Sequence, residues 1–306
     1  MGKNGGPRLL VLDIDNTVFD WVQYYSQAFT ALLEKTASII GVPFLTLAGE
    51  SREVFTAHGS IEYPFVVQEL PSVMAHYGDR IDAMLTECVE PARVVFRDEA
   101  IKRLVPYGDV DETLKRIRKD FPTVPIVALT DAPRYVAMWK LNKLGLLPDF
   151  SAVYGLPDPR LPTDSGAGRV KVDPEILLKH LQQSNFGFAG KIRILPDDYE
   201  KPGTKGLKTV LMDFELDEPV SIRQNVVWVG DNLRKDIGLG NRLGVRSVWA
   251  EYGTKIDGEM LRKLKIFSPE SSIHKNVMLP QSAPESPKPD RVLAKFGDVW
   301  GEFEGV

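Results

Sequence analysis

The chain has 306 residues, 43% hydrophobic and 26% charged, the balance of a folded globular protein rather than a disordered one, and long enough for about two domains. Its 38 basic and 42 acidic side chains leave a net charge of −4 at pH 7, without the basic surplus that marks a nucleic-acid binder. One cysteine, Cys88, excludes an intramolecular disulfide framework and a multi-cysteine zinc site, and no apolar run is long enough to span a membrane.

The N-terminal Met1–Pro7 is polar and lacks the apolar stretch of a signal peptide, so a cytoplasmic location is expected. The first predicted element is Leu9–Leu12, an unbroken apolar run of the kind buried on both faces of a parallel sheet. Residues 21–104 break with that pattern. They hold few strand-like runs and several helical stretches, among them Tyr24–Ile39 and Ile81–Val89, and read as a mostly helical insertion. Val110, Leu114, Ile117 and Phe121 then recur at helical spacing and form one apolar stripe. Pro125–Leu129 is a second strand, and Pro133 suits the first turn of a helix that Gly145 and Pro148 would end. Residues 155–170 are loop-like. Gly206–Phe214 is a helix candidate, Val226–Val229 a third strand, and Val245–Trp249 a weaker fourth. Residues 268–290 are rich in Ser and Pro and read as an extended tail, after which Val292–Phe303 has enough apolar side chains to dock. Alternating strands and helices argue for an α/β, doubly wound parallel-sheet core with a helical second domain.

Three of the strand candidates end in polar side chains. The first runs into Asp13-Ile14-Asp15-Asn16-Thr17, the second into Thr130-Asp131, and the third into Gly230-Asp231-Asn232 with Asp236 following. In open α/β sheets the carboxyl ends of the strands form the ligand crevice, so these segments are expected to meet, with Asp13, Asp15 and Asp231 close together. Clustered carboxylates repel one another, and hard oxygen ligands favour Mg²⁺ as the neutralising ion.

Asp13-x-Asp15-x-Thr17, Thr130, a Lys-Pro pair and Gly230-Asp231-x4-Asp236 together resemble the four motifs of the haloacid dehalogenase-like hydrolase superfamily, in its phosphatase branch. The resemblance implies a Rossmann-like core over 1–20 and 105–265, with an extra insertion at 155–200. It also implies a helical cap over 21–104 and leaves 266–306 as a Pro/Ser-rich extension. It implies Asp13 as nucleophile, Asp15 as general acid and base, and a lysine as fixed positive charge. Mg²⁺ is implied to be held by Asp13, Asp15 (through its backbone carbonyl) and Asp231, with Asp236 orienting its waters or the lysine. Thr130, Asp131 and Thr17 are the substrate-binding candidates, Thr130 acting with N–H groups at a helix start. The implied reaction is hydrolysis of a small phosphorylated metabolite, with no nucleic-acid or membrane partner. A phosphomutase shares all four motifs. A phospho-acceptor signalling domain or a non-catalytic scaffold are the rivals from other classes.

The lysine is the open choice. Lys201-Pro202 precedes the Gly206–Phe214 helix candidate and is placed first. Lys171-Val172-Asp173-Pro174 resembles the family's Lys-Pro-x-Pro without its first proline and is the alternative. Other conspicuous side chains have ordinary readings. Lys115, Arg116, Arg118 and Lys119 suit a solvated helix face, His58 and His76 lack metal-ligand spacing, Cys88 reads as a small buried apolar residue, and Trp21, Tyr24 and Tyr25 suit packing. Arg52, Arg80, Arg93 and Arg97 in the cap are candidates to meet an acidic substrate.

Overall fold

A computed structural model describes residues 6–158, 183–218, 221–277 and 286–304. Seven strands form one sheet: β1 (Leu9–Leu12), β2 (Ile126–Pro133), β3 (Ala152–Leu156), β4 (Lys191–Ile194), β5 (Val226–Gly230), β6 (Arg246–Trp249) and β7 (Arg291–Val292). Their order is β4-β3-β2-β1-β5-β6-β7, and every pairing is parallel. The fold is therefore the α/β Rossmann-like type that the strand–helix alternation predicts.

The pleat explains why β1, β2 and β5 read as unbroken apolar runs. Leu10, Leu12, Ile126, Ala128, Val227 and Val229 pack into the core on one face. Leu9, Val11, Val127, Leu129, Val226 and Trp228 pack on the other. With both faces covered, no polar alternation is tolerated. β1 lies between β2 and β5, so the carboxyl ends of these three strands are neighbours at the centre of the sheet.

After β1 the chain leaves the sheet through a short turn and enters the helix Trp21–Ile40. Asp20 caps it by accepting the Gln23 N–H at 2.8 Å, and Gly41 closes it in the left-handed region at φ 72°. Helices Phe44–His58 and Glu90–Arg103 complete most of this helical unit, which returns to the sheet layer at helix Val110–Asp120.

Three expectations change. Residues 155–200 do not form a simple insertion, because β3 begins at Ala152 and β4 lies within this stretch, so its flanks build one edge of the sheet. The tail does not run extended throughout 268–290, since Glu270–Asn276 is helical. The chain then returns as β7 and docks Phe296, Val299 and Phe303 into the core. The partner of that last segment, which the sequence leaves unnamed, is the Val110–Asp120 helix and its end: Phe121 lies 5.0 Å from the Phe303 ring, and the Arg116 guanidinium 3.6 Å over Trp300. Finally, helix Gly258–Phe267 packs on the cap rather than on the sheet. Its Phe267 ring centre is 4.5 Å from that of Phe29, because its stripe of Met260, Leu264 and Phe267 is buried there. No single helix among the described residues is long and apolar enough to cross a membrane.

Candidate active site

Asp13 follows directly on β1, and its N–H donates to the Val229 carbonyl at 2.9 Å, which fixes it beside the end of β5. Asp231 follows directly on β5. Carboxylate oxygens of Asp13, Asp231 and Asp236 all lie within 4.8 Å of one another, and all three residues are buried. The topology thus brings together acids more than two hundred positions apart.

Gly230 makes this possible. A Cβ there would lie 2.4 Å from Asp236 Cγ, so only glycine lets the Asp236 side chain fold back over the strand end. Asp236 Oδ2 accepts the Asn232 N–H at 2.9 Å and its Oδ1 accepts Lys201 Nζ at 2.8 Å. Gly253 is a second forced glycine, where a Cβ would meet the Asn16 carbonyl oxygen at 1.8 Å.

Lys201 reaches the acids from the loop after β4, its peptide bond to Pro202 being cis. Its Nζ lies 2.8 Å from Asp13 Oδ1 and 2.8 Å from Asp236 Oδ1. Lys171 lies outside the described residues. Asp131, expected at the substrate, lines the same cavity, and both its oxygens already have partners: Oδ1 accepts the Lys201 backbone N–H at 2.9 Å, and Oδ2 accepts Lys235 Nζ at 2.8 Å. It braces the lysine loop against the segment after β5. Thr130 Oγ1 accepts the Ala132 N–H at 3.1 Å and lines the same cavity. The helix expected to start beside it begins only at Arg134, and its Tyr135 N–H is already accepted by Asp158 at 2.7 Å. Thr17 does not line the cavity. It is fully buried, and its carbonyl accepts the Tyr252 hydroxyl at 2.6 Å, so it holds the turn rather than a substrate.

Asp15 turns its carboxylate away from the acidic trio toward Lys140, a lysine that the sequence reading passes over. Lys140 is fully buried in helix Arg134–Lys143. Its Nζ donates to Asp15 Oδ1 at 2.9 Å, to Asp15 Oδ2 at 3.1 Å and to Glu62 Oε1 at 3.0 Å. Glu62 belongs to the loop Gly59–Glu62 of the helical unit, which forms one wall of the cavity. Trp21 Nε1 donates to Glu62 Oε1 at 3.0 Å, and the Tyr25 hydroxyl donates to the Ile61 carbonyl. Behind the loop, Glu69 accepts the Tyr63 hydroxyl at 2.6 Å and pairs with His58 at 2.7 Å. The only signal for Lys140 was a lysine beside the buried Ala137 and Leu141 of its helix. Glu62 had none. Trp21 lines the cavity, while Tyr25 stacks between Trp21 and Phe29. None of the cap residues Arg52, Arg80, Arg93 or Arg97 lines it.

The cavity enclosed between these walls measures about 110 Å³. Its electrostatics are set by burial. The Asp13 carboxyl is raised to about 7, mainly by burial and further by Asp236 and Asp15, against the lowering effect of Lys201. Asp231 is pushed well above the ordinary carboxylate value by burial, then by Asp236 and Asp13. Asp15 is raised by burial and Glu62, opposed by Lys140. Lys201 is held protonated, since Asp13 and Asp236 outweigh its desolvation.

Such shifts link stability to pH. Asp13 and Asp231 bind protons more tightly folded than unfolded, where they titrate at about 3.9. The folded state therefore carries a penalty once both states are ionised, and the penalty is relieved as pH falls. Asp213, lowered by Tyr154 and its basic neighbours despite partial burial, loses its contribution only in the ordinary carboxylate range, below this window. Metal-free protein is expected to melt about 2–4 °C higher at pH 6 than at pH 8, and Mg²⁺ should raise the melting temperature more at pH 8. A melting temperature that falls from pH 8 to pH 6 would contradict the buried-acid geometry.

The residues present suit a divalent cation. Three buried carboxylates converge, and Asp231 Oδ2 is buried without a hydrogen-bond partner among the described residues. An all-oxygen donor set of this kind is what Mg²⁺ takes.

A doubly wound sheet with an acidic nucleophile candidate at the tip of its central strand, a buried lysine beside it and a helical cap above defines a class of hydrolase. A family model of the haloacid dehalogenase-like hydrolases matches residues 7–244, and the chain belongs to that family. No curated protein sequence matches it. Among solved structures, a 2-haloacid dehalogenase from Pseudomonas syringae pv. Tomato is similar in fold, with TM-score 0.56, 16% identity and 97% of each chain covered. A subfamily IA hydrolase of the same superfamily from Geobacter sulfurreducens is similar at TM-score 0.47 and 16% identity, over 98% of this chain and 99% of that one.

Proposed function

We propose that the chain is a Mg²⁺-dependent phosphatase that hydrolyses a small phosphorylated metabolite through a phosphoryl group carried on Asp13. The observation that carries this reading is the convergence of Asp13, Asp231 and Asp236 around the buried Lys201 amine. Asp13, Asp15 and Asp231 all face the cavity.

Mg²⁺, held by the Asp13 and Asp231 carboxylates and the Asp15 carbonyl, would neutralise charge on the phosphoryl oxygens. An Asp13 carboxylate oxygen attacks phosphorus, and the ester P–O bond breaks with its electron pair going to the leaving oxygen. Asp15 donates its proton to that oxygen, a role suited to a carboxyl raised by burial and by Glu62. Asp15, now a carboxylate, takes a proton from water as the water oxygen attacks phosphorus, and Asp13 and inorganic phosphate are released. Lys201 stays charged throughout and faces the charge that develops on the phosphoryl group. Asp236 and Asp131 hold that lysine at its amine and at its backbone N–H respectively. The cap loop excludes water while the ester is bound.

Phosphate release from a generic aryl phosphate is the direct test. Activity is expected with Mg²⁺, to disappear in EDTA and to return when Mg²⁺ is added in excess. Full activity in the chelator would remove the metal from the mechanism.

A further inference from the structure

The rim of the cavity opposite the acidic trio is built from the cap, and its charges are committed in an unusual way. Lys140 is the cation on this side. An ammonium group has three donors, and those of Lys140 are spent on Asp15 Oδ1, Asp15 Oδ2 and Glu62 Oε1. The amine is fully buried and packed 5.7 Å from the Phe19 ring centre and 5.7 Å from that of Tyr24, so it has no room to turn toward a ligand. Lys235, on the other side, is bound to Asp131.

Glu62 is placed differently. Its Oε1 already accepts both Lys140 Nζ and Trp21 Nε1. Among the described residues no donor reaches its Oε2, and the side chain stays partly open where it lines the cavity. Asp15, Lys140 and Glu62 together carry one net negative charge while Asp15 is ionised and none once it holds the proton it gives to the leaving oxygen, and in neither state does the group leave a free positive charge. The rim therefore offers acceptors, Glu62 Oε2 first among them, and no uncommitted positive charge for an anion.

We propose that this rim selects a leaving alcohol that donates hydrogen bonds and carries no acidic group, an amino alcohol or a polyol rather than a hydroxy acid. The inference rests on the phosphatase reading above and narrows it. A hydroxyl or ammonium group two or three atoms from the ester oxygen would donate to Glu62 Oε2. A carboxylate in the same place would face the Glu62 carboxylate with no uncommitted cation on that rim to meet it, and a like-charge contact in a partly enclosed site is strongly unfavourable. Lys140 here is a positioning residue that holds Glu62 and Asp15 at fixed separation from one core helix.

The test compares kcat/KM for three small monoesters with Mg²⁺: ethanolamine phosphate, glycerol 1-phosphate and phosphoglycolate, with an aryl phosphate as reference. The two donor-bearing esters are expected to exceed phosphoglycolate by at least about 100-fold, less than the roughly 10⁴-fold that a fully enclosed hydrogen-bonding site reaches. In Glu62→Gln the ratio of ethanolamine phosphate to phosphoglycolate should fall by about tenfold. A merely structural role for Glu62 would lower all substrates together and leave that ratio in place, which would overturn the assignment of Glu62. If the aryl phosphate is hydrolysed but phosphoglycolate comes within about threefold of the other esters or exceeds them, the selection is wrong and the phosphatase reading stands. If no ester is hydrolysed, the aryl phosphate included, both readings fall.

Discussion

Asp13→Asn is expected to lower turnover of an aryl phosphate with Mg²⁺ by at least about 10³-fold, the scale seen when a covalent nucleophile is removed. The amide keeps the shape of the carboxylate but is a poor nucleophile, so the loss should appear in kcat. Folding provides the control. Asp13 is one of three buried acids that repel each other, and its carboxyl is raised to about 7 chiefly by burial. A neutral side chain there is tolerated at least as well as the carboxylate, and the metal-free variant should melt at or above the wild-type temperature at pH 8. Retained melting with lost activity identifies chemistry rather than unfolding. Activity within about tenfold of wild type would show that some other group attacks phosphorus.

Lys201→Met should be costly twice over. The methionine fills similar space without charge, leaving Asp13 and Asp236 without the amine that lies 2.8 Å from each. Breaking a buried ion pair from one side costs about 3–5 kcal/mol, which for a chain of this size lowers the melting temperature of metal-free protein by about 10 °C. Mg²⁺ should recover part of that loss, because it supplies positive charge to the same carboxylates. Activity should still fall by about 10²–10³-fold with Mg²⁺ present, since a fixed charge at the developing phosphoryl charge is gone. Lys171→Ala, measured alongside, is expected to keep its activity. An inactive Lys171→Ala beside an active Lys201→Met would reverse the choice of lysine.

The two experiments bear on different parts of what was legible in the sequence. Asp13, Asp15, Asp231 and Asp236 stood out because each follows a strand whose apolar run is unbroken, and the neighbouring order of β1, β2 and β5 makes their ends converge. β3, β4 and β7 were not legible. β4 alternates and is partly exposed at one edge of the sheet, and β7 has only two residues. Neither carries the burial that makes a central strand conspicuous. Asp131 sits in a motif and lines the cavity, but its partners were not legible: its oxygens accept from Lys201 and Lys235, 70 and 104 residues away in the chain.

The sequence by itself determined the hydrolase-type core, the position of the helical insertion and the acids at the strand tips. Those features depend on short-range regularities: the period of apolar residues, the side chain that follows a strand, the glycine that a crowded strand end requires. Tertiary structure alone decided that Lys140 clamps Asp15 to Glu62 across 125 and 78 residues of chain, and that the C-terminal segment docks on the sheet layer while helix Gly258–Phe267 covers the cap. A buried lysine reads in sequence like any surface lysine, because its environment is supplied by distant segments that only the completed packing brings within hydrogen-bond reach.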